Sequence, residues 1–216
     1  MTDSPHTVSD VMTHTAVAIG SRAPYKEIVR LMAEWKVGAL PVLAGEGRVV
    51  GVVSEADLLP KEALRGDGPG RLGPLDETSK AGAVLAEGLM SSTAVTVHAD
   101  ATIAEAAAQI MARKRVKRLP VVNDVGLLEG VVSRGDLLKV FLRPDAELIA
   151  EVRHGVLGQI SPPLQIDAVV EDGVVTLDGS LRDRSMVPLL AQAVRAVEGV
   201  VDVRMDLDGN SPGVPA

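Results

Sequence analysis

Apolar positions in this chain follow two alternating rhythms. Ile28, Leu31, Met32 and Trp35 recur at helical spacing, which predicts a helix with one buried face. Pro24 stands where its first turn would begin. Residues 16–19, 40–43 and 49–53 are short apolar runs that read as strands, the last two joined by a turn at Gly45, Glu46 and Gly47. Asp57, Leu58 and Leu59 open a closing helix. The same order returns later, with Ile103, Ala107, Ile110 and Met111 as the apolar helical face. There Thr102 and Glu105 match a capping box.

Past Phe141 the rhythm changes. Pro144 and Asp145 break the chain, and Leu148, Ile149, Val152 and Val156 predict a helix. Residues 165–170 and 173–177 predict strands joined at Asp172 and Gly173, a strong hairpin signal. Val187, Leu190, Ala191 and Val194 mark a second helix ended by Gly199, and Val201, Val203, Met205 and Leu207 alternate as a last strand. The expected product is a small α-β-β-α-β unit over residues 146–208. Its expected core is Val152, Val169, Leu177, Leu190, Val194 and Val203. A disordered tail is expected over 209–216.

The first rhythm repeats because the sequence repeats. Gly51-Val52-Val53-Ser54-Glu55-Ala56-Asp57-Leu58-Leu59 returns from Gly130 as Gly130-Val131-Val132-Ser133-Arg134-Gly135-Asp136-Leu137-Leu138. Leu40-Pro41-Val42 returns as Leu119-Pro120-Val121, and Val11-Met12-Thr13 as Leu89-Met90-Ser91. Two copies of one structural unit follow, over 8–59 and 87–142, joined by a Gly- and Pro-rich connector over 60–86. Residues 80–87 could add a helical turn or two before the second copy. Such copies pack about a pseudo-two-fold axis, and clefts at such interfaces receive small ligands.

Composition narrows the functional classes. The chain has 216 residues and a net charge of −7 from 29 acidic and 22 basic residues. That disfavours general affinity for nucleic acid or anionic membranes. Cysteine is absent, which excludes thiolate chemistry and disulfides. Tyr25, Trp35 and Phe141 are the only aromatics, so platforms for base stacking are missing and nucleic acid is not an expected partner. No export signal or membrane-length apolar run is seen, and a cytoplasmic location is expected. The four histidines lack ligand spacing, no phosphate-binding loop occurs, and neither a metal site nor catalysis is expected.

The repeated Gly-Val-Val-Ser-x-x-Asp carries the best candidate chemistry. It places a hydroxyl and a carboxylate three residues apart where a strand meets a helix. Ser54 and Ser133 could cap helix amides or hold a phosphate oxygen. Asp57 and Asp136 could accept from a ribose diol, or could be first-turn charges favoured by the helix dipole.

With these pieces in order, residues 8–142 resemble a pair of cystathionine-β-synthase (CBS) domains, the regulatory Bateman module. The resemblance implies an α/β (α+β) fold of two β-α-β-β-α units in a pseudo-two-fold pair. It implies adenosyl ligands such as AMP, ADP or ATP in clefts between the copies, and homodimers of such modules. By that resemblance Asp57 and Asp136 would hold ribose, and Ser54 and Ser133 would approach phosphate. Val17, Val95, Leu40, Pro41, Leu119 and Pro120 would flank adenine. Residues 146–208, through Val169–Gly179 and Val197–Val200, resemble a BON domain, a type described in envelope proteins and proposed to bind phospholipid. A small protein-interaction domain is the other reading of that unit.

The two copies differ in charge. Ala39 is replaced by Arg118 and Glu55 by Arg134, and residues 113–118 form a basic run. Such a run suits a solvated helix C-terminus. Arg118 and Arg134 also fall where the family contacts phosphates, and guanidinium suits phosphate geometry. The second copy is therefore expected to bind nucleotide better. The resulting functional expectation is a non-catalytic adenine-nucleotide sensor that signals to the BON-like unit or an unknown protein partner. A ligand-free dimeric scaffold is the alternative.

Overall fold

The computed structural model describes residues 6–62, 80, 82–112, 116–160, 165–181 and 183–208. The middle of the connector, residues 113–115 of the basic run, the side chain of Met111 and the tail from 209 lie outside them. Two compact units form. Thr7–Leu137 is one; the described residues from Leu138 onward, with His6, make the other. The expected break at Pro144 and Asp145 lies within the second.

In the first unit each copy builds a helix over a small sheet. Copy one contributes α1 (Val8–Val11), β1 (Ile19–Gly20), α2 (Tyr25–Trp35), β2 (Ala39–Ala44), β3 (Arg48–Ser54) and α3 (Glu55–Leu58). Copy two contributes α4 (Ala86–Leu89), β4 (Ser91–Ser92), β5 (Val97–His98), α5 (Ile103–Ala112), β6 (Arg118–Val122), β7 (Leu128–Ser133) and α6 (Arg134–Leu137). β2 and β3 pair antiparallel around positive-φ Gly45 and Gly47, and β1 joins β2 in parallel. β5, β6 and β7 repeat that order. The first strand was expected at 16–19; only Ile19 and Gly20 pair.

The first helix and strand segment of each copy is exchanged. Thr13 pairs with Val131 of β7, with N–H···O distances of 2.9 and 3.1 Å. The equivalent Ser91 pairs with Val52 of β3. Val8 N–H donates to Ala101 O at 2.8 Å, and Ala86 N–H donates to Ala23 O at 2.9 Å. Ala86 and Leu89 complete the core made by Ile19, Ile28, Met32, Leu40, Val42, Val53 and Leu58 of copy one. Fully burying a side chain such as Leu89 is worth about 1.5–3 kcal/mol, so the exchange is a principal bond between the copies. The hairpin tips also meet, Val49 N–H donating to Gly126 O and Leu128 N–H to Gly47 O.

The repeated glycines make room for this exchange. A Cβ on Gly51 would lie 2.5 Å from Met90 Sδ and 3.0 Å from Ser91 O. One on Gly130 would lie 2.7 Å from Thr13 O and 3.0 Å from Met12 Sδ.

Burial refines the expected faces. Ile28, Met32 and Ile110 lie in the interior, as their spacing predicts. Trp35, expected on the buried side, is 54% exposed. In α5, Ala106 is fully buried where Ala107 was expected. Thr102 and Glu105 do form the expected capping box: each backbone N–H donates to the other side chain.

The second unit comprises a 3₁₀ segment (Leu138–Leu142), α7 (Asp145–Glu151), β8 (Gln165–Glu171), β9 (Val174–Ser180), α8 (Val187–Arg195) and β10 (Asp202–Asp208). This is the expected α-β-β-α-β order. β9 is central, antiparallel to β8 and parallel to β10. Asp172 and Gly173 both take positive φ, as a tight hairpin turn requires. Asp145 accepts from both of their backbone N–H groups at 2.9 Å. Val169 was expected in the core but is 59% exposed, and its neighbour Ala168 is fully buried. Among the described residues no helix is long and apolar enough to cross a membrane.

Candidate functional site

The strand-to-helix junctions at β3/α3 and β7/α6 are superposable in their bonding. Ser54 leaves β3 in extended conformation and caps α3. Its N–H and Oγ–H both donate to Asp57 Oδ2, at 2.8 and 2.7 Å. Ser133 N–H and Oγ–H donate to Asp136 Oδ2 at 2.9 and 2.6 Å, and Asp136 N–H returns to Ser133 Oγ at 3.3 Å. These are reciprocal capping boxes with aspartate in the acidic position. One oxygen of each carboxylate, Oδ2, is thereby committed to local structure.

The strand beside each junction carries the other predicted residues. Ala39 pairs with Ser54, and Arg118 pairs with Ser133, in equivalent register. Arg118 therefore stands next to the Ser133–Asp136 box. Glu55 N–H donates to Gly38 O, and Arg134 N–H donates to Lys117 O, again in matching fashion. Arg134 Nη2 donates to Val116 O at 2.9 Å, which turns its guanidinium back along the segment leading into β6. Glu55 instead lies over Gly38, where an added Cβ would stand 3.0 Å from Oε2. One backbone frame thus carries an acidic group in copy one and a basic set in copy two.

The predicted adenine-flanking residues divide by burial. Leu40 and Leu119 are core side chains, essentially without exposure, and Pro41 and Pro120 are buried beside them. What such positions offer a ligand is strand backbone. Val17 and Val95 are partly buried on the segments entering β1 and β5. Close to Val95, Thr93 holds φ at 63°, an unusual backbone for a β-branched residue.

Lys80 was missed by sequence reasoning. Its Nζ lies 2.5 Å from Asp57 Oδ1 and donates to Ser91 Oγ at 3.3 Å. Both charged side chains are mostly buried, 17% exposed for Lys80 and 14% for Asp57. The lysine belongs to the connector, so no repeat pattern pointed to it. The structural part of Gly51, Gly130, Met12 and Met90 was also missed, although their repetition in both copies was the available signal.

Comparison with known proteins agrees with this architecture. The CBS domain family matches residues 8–62 and 86–143, more than half of the chain. The chain belongs to the CBS domain family. A BON domain follows over residues 144–208. The CBS domain-containing protein YhcV of Bacillus subtilis is 31% identical over 132 residues, covering 60% of this chain and 81% of YhcV. The chloroplastic CBSX2 of Arabidopsis thaliana is 30% identical over 155 residues, 64% of either chain. The crystal structure of CBSX2 in complex with AMP aligns with a TM-score of 0.56 at 27% identity, covering 63% of this chain and 97% of that one. Of other curated relatives the chain spans 52%, 55% and 41% of the length.

Proposed function

We propose that this protein is a non-catalytic sensor of an adenine nucleotide, held in the CBS pair and signalled to the BON domain or to a partner protein. The observation that carries the proposal is the twinned Ser-x-x-Asp junction, which sets a hydroxyl and a carboxylate at the same place beside a strand backbone in each copy. CBSX2, which is known in complex with AMP, supports the ligand class. In copy two, Asp136 would hold ribose, Ser133 would approach phosphate, and Arg118 and Arg134 would neutralise it, with Leu119, Pro120 and Val95 beside the base. In copy one, Asp57, Ser54, Leu40, Pro41 and Val17 are the counterparts. AMP, ADP or ATP would serve as a regulatory ligand, and the module would act as a cytoplasmic homodimer. A ligand shifts a conformational equilibrium only by its preference for one state.

A thermal-shift series with AMP, ADP, ATP, NAD and S-adenosylmethionine tests this. A nucleotide at about 100 times its Kd stabilises by about 2.7 kcal/mol and raises the melting temperature. If none of them shifts it, the second reading takes over: a scaffold that uses the CBS pair for assembly alone. The capping boxes favour that alternative, because they satisfy Ser and Asp with no ligand.

A further inference from the structure

At the copy-one junction the second carboxylate oxygen of the capping aspartate holds a cation. Lys80 Nζ sits on Asp57 Oδ1 at 2.5 Å, and the pair is largely withdrawn from water. Its second contact, Ser91 Oγ, lies on β4, the strand that copy two lends to the copy-one sheet. One ammonium therefore ties the junction, the exchanged strand and the end of the connector.

We propose that Lys80 is an internal occupant of the copy-one junction, keeping Asp57 from ribose until a ligand displaces it. It rests on the nucleotide-sensing function proposed above and gives copy one a contact with which a ligand must compete. The chemistry is direct. An ammonium–carboxylate contact is charge-assisted and stronger than a neutral hydroxyl donating to the same oxygen. Oδ1 can accept a second donor, but the pair is largely withdrawn from water, so a ribose diol competes with Lys80 for space and for charge at that oxygen. Displacement also releases the chain segment that carries Lys80 from Ser91. Occupancy of copy one is then coupled to the end of the connector and to the exchanged strand.

Calorimetry with AMP on the full chain tests this, in an Asp136→Ala background so that copy one dominates the signal. Lys80→Met keeps the aliphatic stem and removes the charge. AMP affinity is expected to rise about tenfold, and the gain is expected to vanish when Asp57→Ala is added. An unchanged or weaker affinity in Lys80→Met would overturn the proposal, as would a gain that survives Asp57→Ala. Unmodified protein that binds AMP, with no gain in Lys80→Met, defeats only the role of Lys80. No adenine nucleotide binding in the unmodified protein or in any variant defeats the sensor function and this proposal with it.

A second measurement needs no substitution. Acetylation of Lys80 by acetic anhydride, quantified by mass spectrometry against exposed Lys26, is expected to be slow without ligand. It is expected to rise several-fold at AMP concentrations that fill copy one. Equal reactivity with and without AMP at that occupancy would overturn the proposal.

Discussion

Copy one and copy two fold the same junction and charge it oppositely. In both, serine ends a strand, caps a helix and bonds the aspartate three residues on. In both, the residue after the serine donates its N–H to the carbonyl before the preceding strand. Yet that residue is Glu55 in one copy and Arg134 in the other, and the strand starts with Ala39 in one and Arg118 in the other. Local folding at the junction depends on Ser and Asp, which are constant. The charge around it is free to vary, and it does. A duplicated fold can thus keep two frames and specialise one.

The largest effect is expected from breaking the exchange that makes the copies one unit. Gly130→Ala places a methyl against the Thr13 carbonyl, backbone that cannot swing aside. Overpacking of this kind costs about 1–3 kcal/mol, and Gly130→Ala belongs at the upper end. Gly51→Ala first meets Met90 Sδ, an adaptable side chain, and should cost less. Met90→Ala combined with Gly51→Ala should recover part of that loss. Urea denaturation of the three variants checks the ranking; equal costs at Gly51 and Gly130 would show that both sites relax by the same route.

Much of this frame is legible in the chain. The duplication announces two units, the Asp172–Gly173 pair sets the C-terminal hairpin, and Thr102 with Glu105 marks a helix start. The partner of each first segment is not legible. Residues 8–13 and 86–92 have the same pattern, so packing within a copy or across copies satisfies hydrophobicity equally. What decides is three-dimensional: the pairing of Thr13 with Val131 and of Ser91 with Val52, and the fit of Met12 and Met90 over Gly130 and Gly51. Val169 fails for a related reason. Ala168, Val169 and Val170 are all apolar, so alternation cannot say which faces inward. The hairpin register pairs Ala168 with buried Leu177 and turns Val169 outward. Of the candidate site, the Ser and Asp pairs were readable from spacing. Lys80 was not, because its contact spans 23 residues of connector that no motif covers.

The next effect concerns ligand. Asp136→Ala is expected to weaken AMP binding by about tenfold, which removes charge-assisted hydrogen bonds worth about 1–3 kcal/mol. Asp57→Ala is expected to change the affinity of the tighter site little. Arg134→Glu should weaken ATP more than AMP and adenosine least, since it reverses a charge beside the phosphates. Calorimetry with the three ligands sharpens the comparison. If Asp57→Ala abolishes the tighter site and Asp136→Ala spares it, the copies have exchanged duties.

The smallest effect isolates backbone from charge. Thr15 and Thr93 occupy the same place in the two copies, two residues after Thr13 and Ser91. Thr93 holds φ at 63°, whereas Thr15 is not among the residues with positive φ. Glycine adopts that conformation without the steric cost that a β-branched residue meets. Thr93→Gly should therefore relieve strain and stabilise by up to about 1 kcal/mol, net of the extra freedom glycine brings to the unfolded chain. Thr15→Gly has no strain to relieve and should destabilise by a similar amount through that same unfolded-state entropy. The sign, read from melting temperature, is the informative quantity. Opposite signs mean the two segments differ in stored backbone strain. The same sign at both positions would mean that charge alone distinguishes the copies.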